Sequence, residues 1–269
     1  MIRLAVRCAP GQAEEVLADL TVLAPNGVEE EQGEGYVEYA IYGGEGELPE
    51  LGQLEALAGD GLVEISSTEI PDDWADRWRD FHEPIEVGGR LRVRPSWEPA
   101  LGRDGLIEIV VDPGRAFGTG AHATTRMCLE LLLELAGEGE VAGALTDLGT
   151  GSGVLAIAAA KLGFSPVTGY DHEEAALEAA AENAAANDVS LSLERVNLRQ
   201  EMPELAPTVV ANLTAPLLKE IAGRLSSPPD DLILSGMLVG ELDEVSSAFG
   251  LTERRRIVDG DWGALHLSR

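Results

Sequence analysis

Seven consecutive residues, Asp147-Leu-Gly-Thr-Gly-Ser-Gly153, have the types and spacing to hold a ligand. They follow a short apolar run, Ala144 to Thr146, and open into Val154–Leu162, a stretch of helical composition with a glycine stop at Gly163. Strand, glycine turn and helix is the order expected. Gly149, Gly151 and Gly153 let the backbone approach a ligand where a Cβ would collide, and the amides opening the helix offer it hydrogen-bond donors. A dinucleotide fingerprint would need its third glycine at position 154, which is valine. A plain connecting turn is the alternative for the loop taken alone.

A second residue narrows the ligand. Pro166 to Asp171 reads as a short strand ending in a carboxylate 22 residues beyond Gly149. In a doubly wound sheet that carboxylate lies beside the glycine turn and can accept hydrogen bonds from both ribose hydroxyls. The alternative is a helix N-cap for the run that starts at Glu173. Loop and acid together point to a nucleoside ligand, and the loop spacing resembles the first motif of class I S-adenosylmethionine (AdoMet) methyltransferases. Further on, Pro207 to Ala211 reads as a fourth strand with Asn212 at its end, facing the same crevice. Its amide both donates and accepts, which makes Asn212 the residue to hold cofactor or acceptor.

The stretch Asp112 to Arg126, DPGRAFGTGAHATTR, supplies the rest of the chemistry. A proline-glycine turn leads through Phe117-Gly-Thr-Gly120 to Thr124 and Thr125, then to a plainly helical run, Met127–Leu135. It reads as a glycine-hinged cover, with Phe117 as an apolar face and a threonine hydroxyl touching the ligand. Either threonine also fits as the helix N-cap. His122 is either catalytic or a partner that fixes the loop.

These residues need a sheet to bring them together. Alanine-rich Glu173–Asn187 reads as a helix and Leu191–Arg195 as a third strand. Pro216 stands near the start of a helix, and Asp231–Leu234, Val239–Phe249, Glu253–Val258 and Trp262–Leu267 complete a seven-stranded α/β pattern with a hairpin turn at Gly260-Asp261. Upstream, alternating Ile2–Arg7, a helical stripe from Gln12 to Leu23, a strand near Val28, strand-like Gly35–Tyr42, weakly helical Leu48–Ala58 and Leu62–Ser66 give the order β-α-β-β-α-β, a small ferredoxin-like domain. Trp74, Trp78 and Phe81 fall on one face of a connecting helix. The expected domains are a substrate-recognition domain over 1–70, a linker helix over 71–88 and a methyltransferase domain over 89–269.

Composition restricts partners. The net charge is −29 and residues 1 to 70 carry 15 acidic against 2 basic residues, a net of −13. Such a field repels phosphate backbones and attracts a basic protein. An acid-biased proteome would produce the same count. Lys161 and Lys219 stand against 17 arginines, which we read as codon bias. Cys8 and Cys128 suggest no disulfide framework, and no Cys or His cluster has metal-ligand spacing, so no metal is expected. No apolar run approaches 18 residues, and Met1 to Arg7 lacks the apolar core of a signal peptide, so a cytoplasmic protein with no membrane and no direct nucleic-acid contact is expected.

Across most of its length the chain resembles one family closely: PrmA, the bacterial methyltransferases of large-subunit ribosomal protein L11. The resemblance rests on DPGRAFGTGAHATT, DLGTGSGVLAIAAAKLG, GYDHEEAALEAAAENAAAND and VVANL, with the paired tryptophans at 74 and 78. It implies a seven-stranded Rossmann-like class I methyltransferase domain preceded by the ferredoxin-like α+β domain. It also implies AdoMet as methyl donor, contacted by Thr125, Gly149, Asp171 and Asn212, with Phe117 and Gly151 in the same pocket. Methyl groups would pass to amino groups of ribosomal protein L11, which the N-terminal domain would recognise, with Asn212 orienting the amine. A monomer is the expected state. One departure stands out: where the family usually has Asp-Ile-Asp, this chain has Asp171-His-Glu173. Two alternatives stay open, a methyltransferase of another basic protein or small molecule, and a non-catalytic nucleoside-binding assembly protein.

Overall fold

The computed structural model describes residues 2–13, 16, 29–33, 36–43, 62–69, 83–112, 122–137 and 143–269. The chain divides into two compact units, Met1–Phe81 and His82–Arg269.

In the first unit β1 (Ile2–Cys8), β2 (Glu29–Gly33), β3 (Tyr36–Gly43) and β4 (Leu62–Glu69) form one antiparallel sheet in the order β2-β3-β1-β4. This is the strand order of a ferredoxin-like β-α-β-β-α-β unit. The period of two sorts its residues: Leu4, Val6 and Cys8 on β1 join Val37, Tyr39 and Ile41 on β3 in the core. Arg3 and Arg7, the two basic residues of the first 70, both bind the buried Glu38 carboxylate from the opposite face, Arg3 Nη2 at 2.6 Å. Pro10–Gln12, where the helix read from Gln12 to Leu23 would begin, is a 3-10 turn. Most of that helix, the one read over Leu48–Ala58 and the stretch with Trp74, Trp78 and Phe81 lie outside the described residues.

The second unit opens with β5 (Ile85–Val87), β6 (Leu91–Arg94) and β7 (Ile107–Val110). The first two are antiparallel across Gly88 and Gly89, and β7 runs parallel to β6. Residues 85–87, at the end of the range read as linker, are thus a strand, and the glycines and prolines after them belong to a small sheet.

The large sheet is built from β8 (Leu145–Leu148), β9 (Val167–Asp171), β10 (Ser192–Arg195), β11 (Thr208–Asn212), β12 (Asp231–Leu238), β13 (Thr252–Asp259) and β14 (Trp262–Ser268). Its order is β10-β9-β8-β11-β12-β14-β13, parallel except that β14 runs against both neighbours. All four residues of central β8 are buried, whereas β13 at the edge is mostly exposed. On that edge Arg255 and Arg256 pair with Glu134, Asp243 and Glu253, a charged strand that discourages edge-to-edge pairing.

Helices α1 (Ala123–Gly137), α2 (Val154–Leu162) and α3 (Glu174–Ala186) supply the core on one face, and α4 (Ala215–Arg224) and α5 (Leu242–Phe249) the core on the other. Helix α2 is nearly all aliphatic because six of its nine residues are buried. It ends where expected: Gly163 takes φ +105 and Phe164 N donates to Ala159 O at 3.1 Å. Pro216 lies in the first turn of α4, where its missing N–H costs nothing.

Asn187, buried at the end of α3, clasps β7: its Oδ1 accepts from Val110 N at 2.8 Å and its Nδ2 donates to Val110 O at 2.6 Å and Asn183 O at 2.8 Å. Asn187→Ala would strand these groups, so we expect it to lower unfolding free energy by about 2–3 kcal/mol. Urea denaturation measures this, and a loss under about 0.5 kcal/mol would mean the clasp is dispensable.

Candidate functional site

Strand register brings the chemically promising residues to one edge. Leu148, the last residue of β8, stands opposite Tyr170 on β9 and Ala211 on β11. One step further along each strand lie Gly149, Asp171 and Asn212, so the glycine turn is flanked by a carboxylate on one side and an amide on the other. β8 feeds β9 on one side while β11 lies on its other side, which makes this the switch point of the sheet, where ligands of open α/β folds bind.

The turn is pinned and tightly packed. Gly149 N and Thr150 N both donate to Tyr170 O, at 2.8 and 2.9 Å. Gly149 has φ +74, and a Cβ there would come within 2.5 Å of Leu213 Cδ2. Gly153 has φ +80, with a built Cβ 3.0 Å from that of Ala180 on α3. Both positions require glycine.

Asp171 is mostly buried and does two things at once. Its Oδ2 accepts from Gly151 N at 3.0 Å, tying it to the turn, and its Oδ1 accepts from Glu173 N at 3.1 Å. The helix-opening alternative is therefore partly realised, since the second bond fixes the start of α3. Each oxygen keeps a lone pair for a further donor. His172 sits beside it, Nδ1 3.3 Å from Asp171 Oδ1 and Nε2 3.5 Å from Glu173 Oε1.

Across the turn, Asn212 Nδ2 donates to Thr124 Oγ1 at 3.2 Å and Thr125 Oγ1 at 3.3 Å. Thr124 Oγ1 lies 2.7 Å from His122 Nδ1, and the imidazole stands edge-on to Trp262, ring centres 5.1 Å apart. The expectation that a threonine caps this helix is corrected: α1 begins at Ala123, so both threonines lie inside its first turn. The His122 carbonyl takes the amides of Thr125 and Arg126 instead, each at 3.1 Å. The hydroxyls are thereby left to fix the Asn212 amide. His122 holds Thr124 in this chain of contacts.

Behind the turn, Asp147 is fully buried. Thr150 Oγ1 donates to its Oδ2 at 2.8 Å, while Oδ1 has no hydrogen-bond partner. Burial pushes its carboxyl up to about 7; the Thr150 hydroxyl and the Ala156 amide oppose that rise and the Asp171 charge adds to it. Cys128 on α1 is likewise held protonated, by burial first and by Asp147 second.

These parts enclose a cavity of about 410 Å³. Thr125, Gly149, Gly151, Asp171 and Asn212 all line it. Phe117 lies outside the described residues. The far wall comes from residues that the sequence reading does not single out: Val196, Asn197, Leu198 and Arg199 after β10, and Leu217 on α4. Asn197 stands one strand beyond Asp171 at the same edge, so the strand-end logic applied to β10 would find it. A polar end at Asp171, an apolar wall of Val196, Leu198 and Leu217, and a turn that a Cβ would obstruct fit a nucleoside. Among the described residues no group of three or more His, Cys, Asp or Glu is placed to hold a metal ion.

The profile of the family described as ribosomal protein L11 methyltransferase (PrmA) matches residues 18–269. The ribosomal protein L11 methyltransferase of Geotalea uraniireducens is 40% identical over 220 residues, covering 75% of this chain and 69% of that protein. That of Pseudomonas fluorescens is 40% identical over 212 residues, 77% of this chain and 71% of its own length. Among solved structures, the ribosomal protein L11 methylase of Lactobacillus delbrueckii subsp. bulgaricus superposes with a TM-score of 0.62 at 29% identity, covering 70% of this chain and 98% of that one.

Proposed function

The chain belongs to the ribosomal protein L11 methyltransferase (PrmA) family, and from that membership we propose that it transfers methyl groups from AdoMet to amino groups of ribosomal protein L11. AdoMet supplies an electrophilic methyl on a sulfonium. The observation that carries the reading is the placement of Asp171 and Asn212 on either side of the glycine turn in one cavity. Asp171 accepts the ribose hydroxyls, Gly149 and Gly151 let the backbone lie against the donor, and Thr125 meets its amino acid end.

Only a neutral amine has a lone pair with which to attack. At neutral pH, deprotonating a lysine side chain costs roughly 4 kcal/mol and an α-amino group about 1 kcal/mol or less. Desolvation lowers that cost, and alignment with the methyl contributes much of the remaining barrier reduction. Nδ2 of Asn212 makes both of its side-chain hydrogen bonds, which leaves Oδ1 to accept from the amine and aim its lone pair. No strong base is required in this scheme.

The net of −13 over residues 1 to 70 supports a substrate-recognition role for the N-terminal unit toward a basic protein. Among the described residues no helix is long and apolar enough to cross a membrane. A cytoplasmic monomer acting without nucleic acid accords with this reading. The test is competition: methyl-labelled AdoMet is given with equal amounts of ribosomal protein L11, an unrelated basic ribosomal protein and free lysine. Label on L11 above the others by at least about tenfold is the expected result. Equal labelling, or label on another component, would replace the substrate.

A further inference from the structure

Asp147 is a carboxylate in a place that does not suit a charge. It is fully buried in β8, two residues before the first glycine of the turn; its Oδ2 takes the Thr150 hydroxyl and its Oδ1 has no hydrogen-bond partner. A buried carboxylate normally needs two or three donors to stay ionised. The polar and titratable groups that act on it come from the turn, α2, β9 and α1. Thr150 and the Ala156 amide at the start of α2 favour its charge; the Asp171 carboxylate at the end of β9 opposes it. From α1 it meets the Cys128 thiol, whose sulfur lies beside the Ser235 hydroxyl of β12 and carries no compensating charge. Burial outweighs the two favourable contacts, leaving the carboxyl near neutral pH in its titration. The one side chain that holds it, Thr150, also lines the cavity.

We propose that Asp147 is a proton-linked selector that makes the cavity prefer the positively charged methyl donor over its neutral demethylated product. The inference rests on AdoMet being the ligand. The donor carries a sulfonium; the product left after methyl transfer, S-adenosylhomocysteine, carries a neutral thioether. A fixed positive charge over the turn favours ionised Asp147, so donor binding near neutral pH releases a proton from this carboxyl to solvent. Loss of the methyl removes the positive charge, and the carboxyl takes a proton back. Donor affinity then rises with pH through the titration of Asp147, while product affinity follows only the groups that both ligands share. The sulfonium also lowers the amino-group pKa of AdoMet relative to that of the product, so the wild-type ratio is read against the ratio in Asp147→Asn, where the ligands' own groups titrate unchanged.

Calorimetry of the full chain with each ligand between pH 5.5 and 8.5 measures that ratio. The preference for AdoMet over S-adenosylhomocysteine in the wild type, divided by that in Asp147→Asn, is expected to rise by about 10-fold across this range, a coupling of about one pKa unit. Asp147→Asn keeps the shape and cannot ionise, so its ratio carries only the titration of the ligands themselves and lacks this rise. Should that variant fail to fold, carbon-13 NMR of aspartate-labelled wild type gives a second reading: the carboxyl titrating near neutral pH should shift downward on adding AdoMet and not on adding the product. AdoMet binding whose ratio follows pH identically in wild type and Asp147→Asn, or no such NMR shift, overturns the selector. Absence of AdoMet binding at every pH would instead overturn the assignment of the donor.

Discussion

Asp171→Ala is expected to lower AdoMet affinity by about 100-fold or more and to remove detectable methyl transfer at donor concentrations that saturate the wild type. Hydrogen bonds to a charged acceptor contribute about 1.5–3 kcal/mol each, and two ribose hydroxyls sharing one carboxylate put the loss at roughly 3–5 kcal/mol. The substitution also frees the Gly151 amide, which Asp171 Oδ2 holds at 3.0 Å, so the turn loses part of its shape. Asp171→Asn separates the two effects. It keeps an acceptor for the Gly151 amide and loses the charge, and should cost about 10-fold in affinity. Calorimetry with AdoMet reads both, and wild-type affinity in the alanine variant would remove Asp171 from the ribose.

The second large effect falls on turnover. Asn212→Ala should reduce kcat by roughly 100-fold, the scale expected when one orienting hydrogen bond at a reacting centre is removed. AdoMet affinity should fall by no more than about 10-fold, because Asp171 and the glycine turn remain. The asymmetry follows from how the amide is held. Two buried hydroxyls, Thr124 and Thr125, take its Nδ2, and His122 and Trp262 hold Thr124 in turn. That construction fixes where Oδ1 is and little else. Single-turnover kinetics on ribosomal protein L11 give the comparison; wild-type turnover with wild-type AdoMet affinity would show that Asn212 does not orient the amine.

Much of this site is legible in the sequence because its logic is that of strand ends. Gly149, Asp171 and Asn212 each follow an apolar run of strand length, and in a doubly wound sheet such positions meet. Asn197 also follows a strand end, but β10 hides it: the strand is four residues long and mostly exposed, so it lacks the apolar signature of β8 and β11. Thr124 and Thr125 mislead for a different reason. A capping hydroxyl and a side-chain-binding hydroxyl look alike in sequence, and only the observed start of α1 at Ala123 separates them. The Asn187 clasp on Val110 joins residues 77 positions apart and leaves no local trace. Asp147 is visible as an acid before the glycines, whereas its burial depends on α1, α2 and β12 arriving around it.

Methyl transfer to one protein, ribosomal protein L11, is the central expectation. Intact-mass spectrometry of recombinant ribosomal protein L11, after incubation with this protein and AdoMet, tests it most directly. Mass gains in steps of one methyl group, absent with the Asp171→Ala protein, are the predicted result. An unchanged L11 mass while AdoMet binding remains measurable would contradict the substrate, and equal gains with wild type and Asp171→Ala would contradict the site.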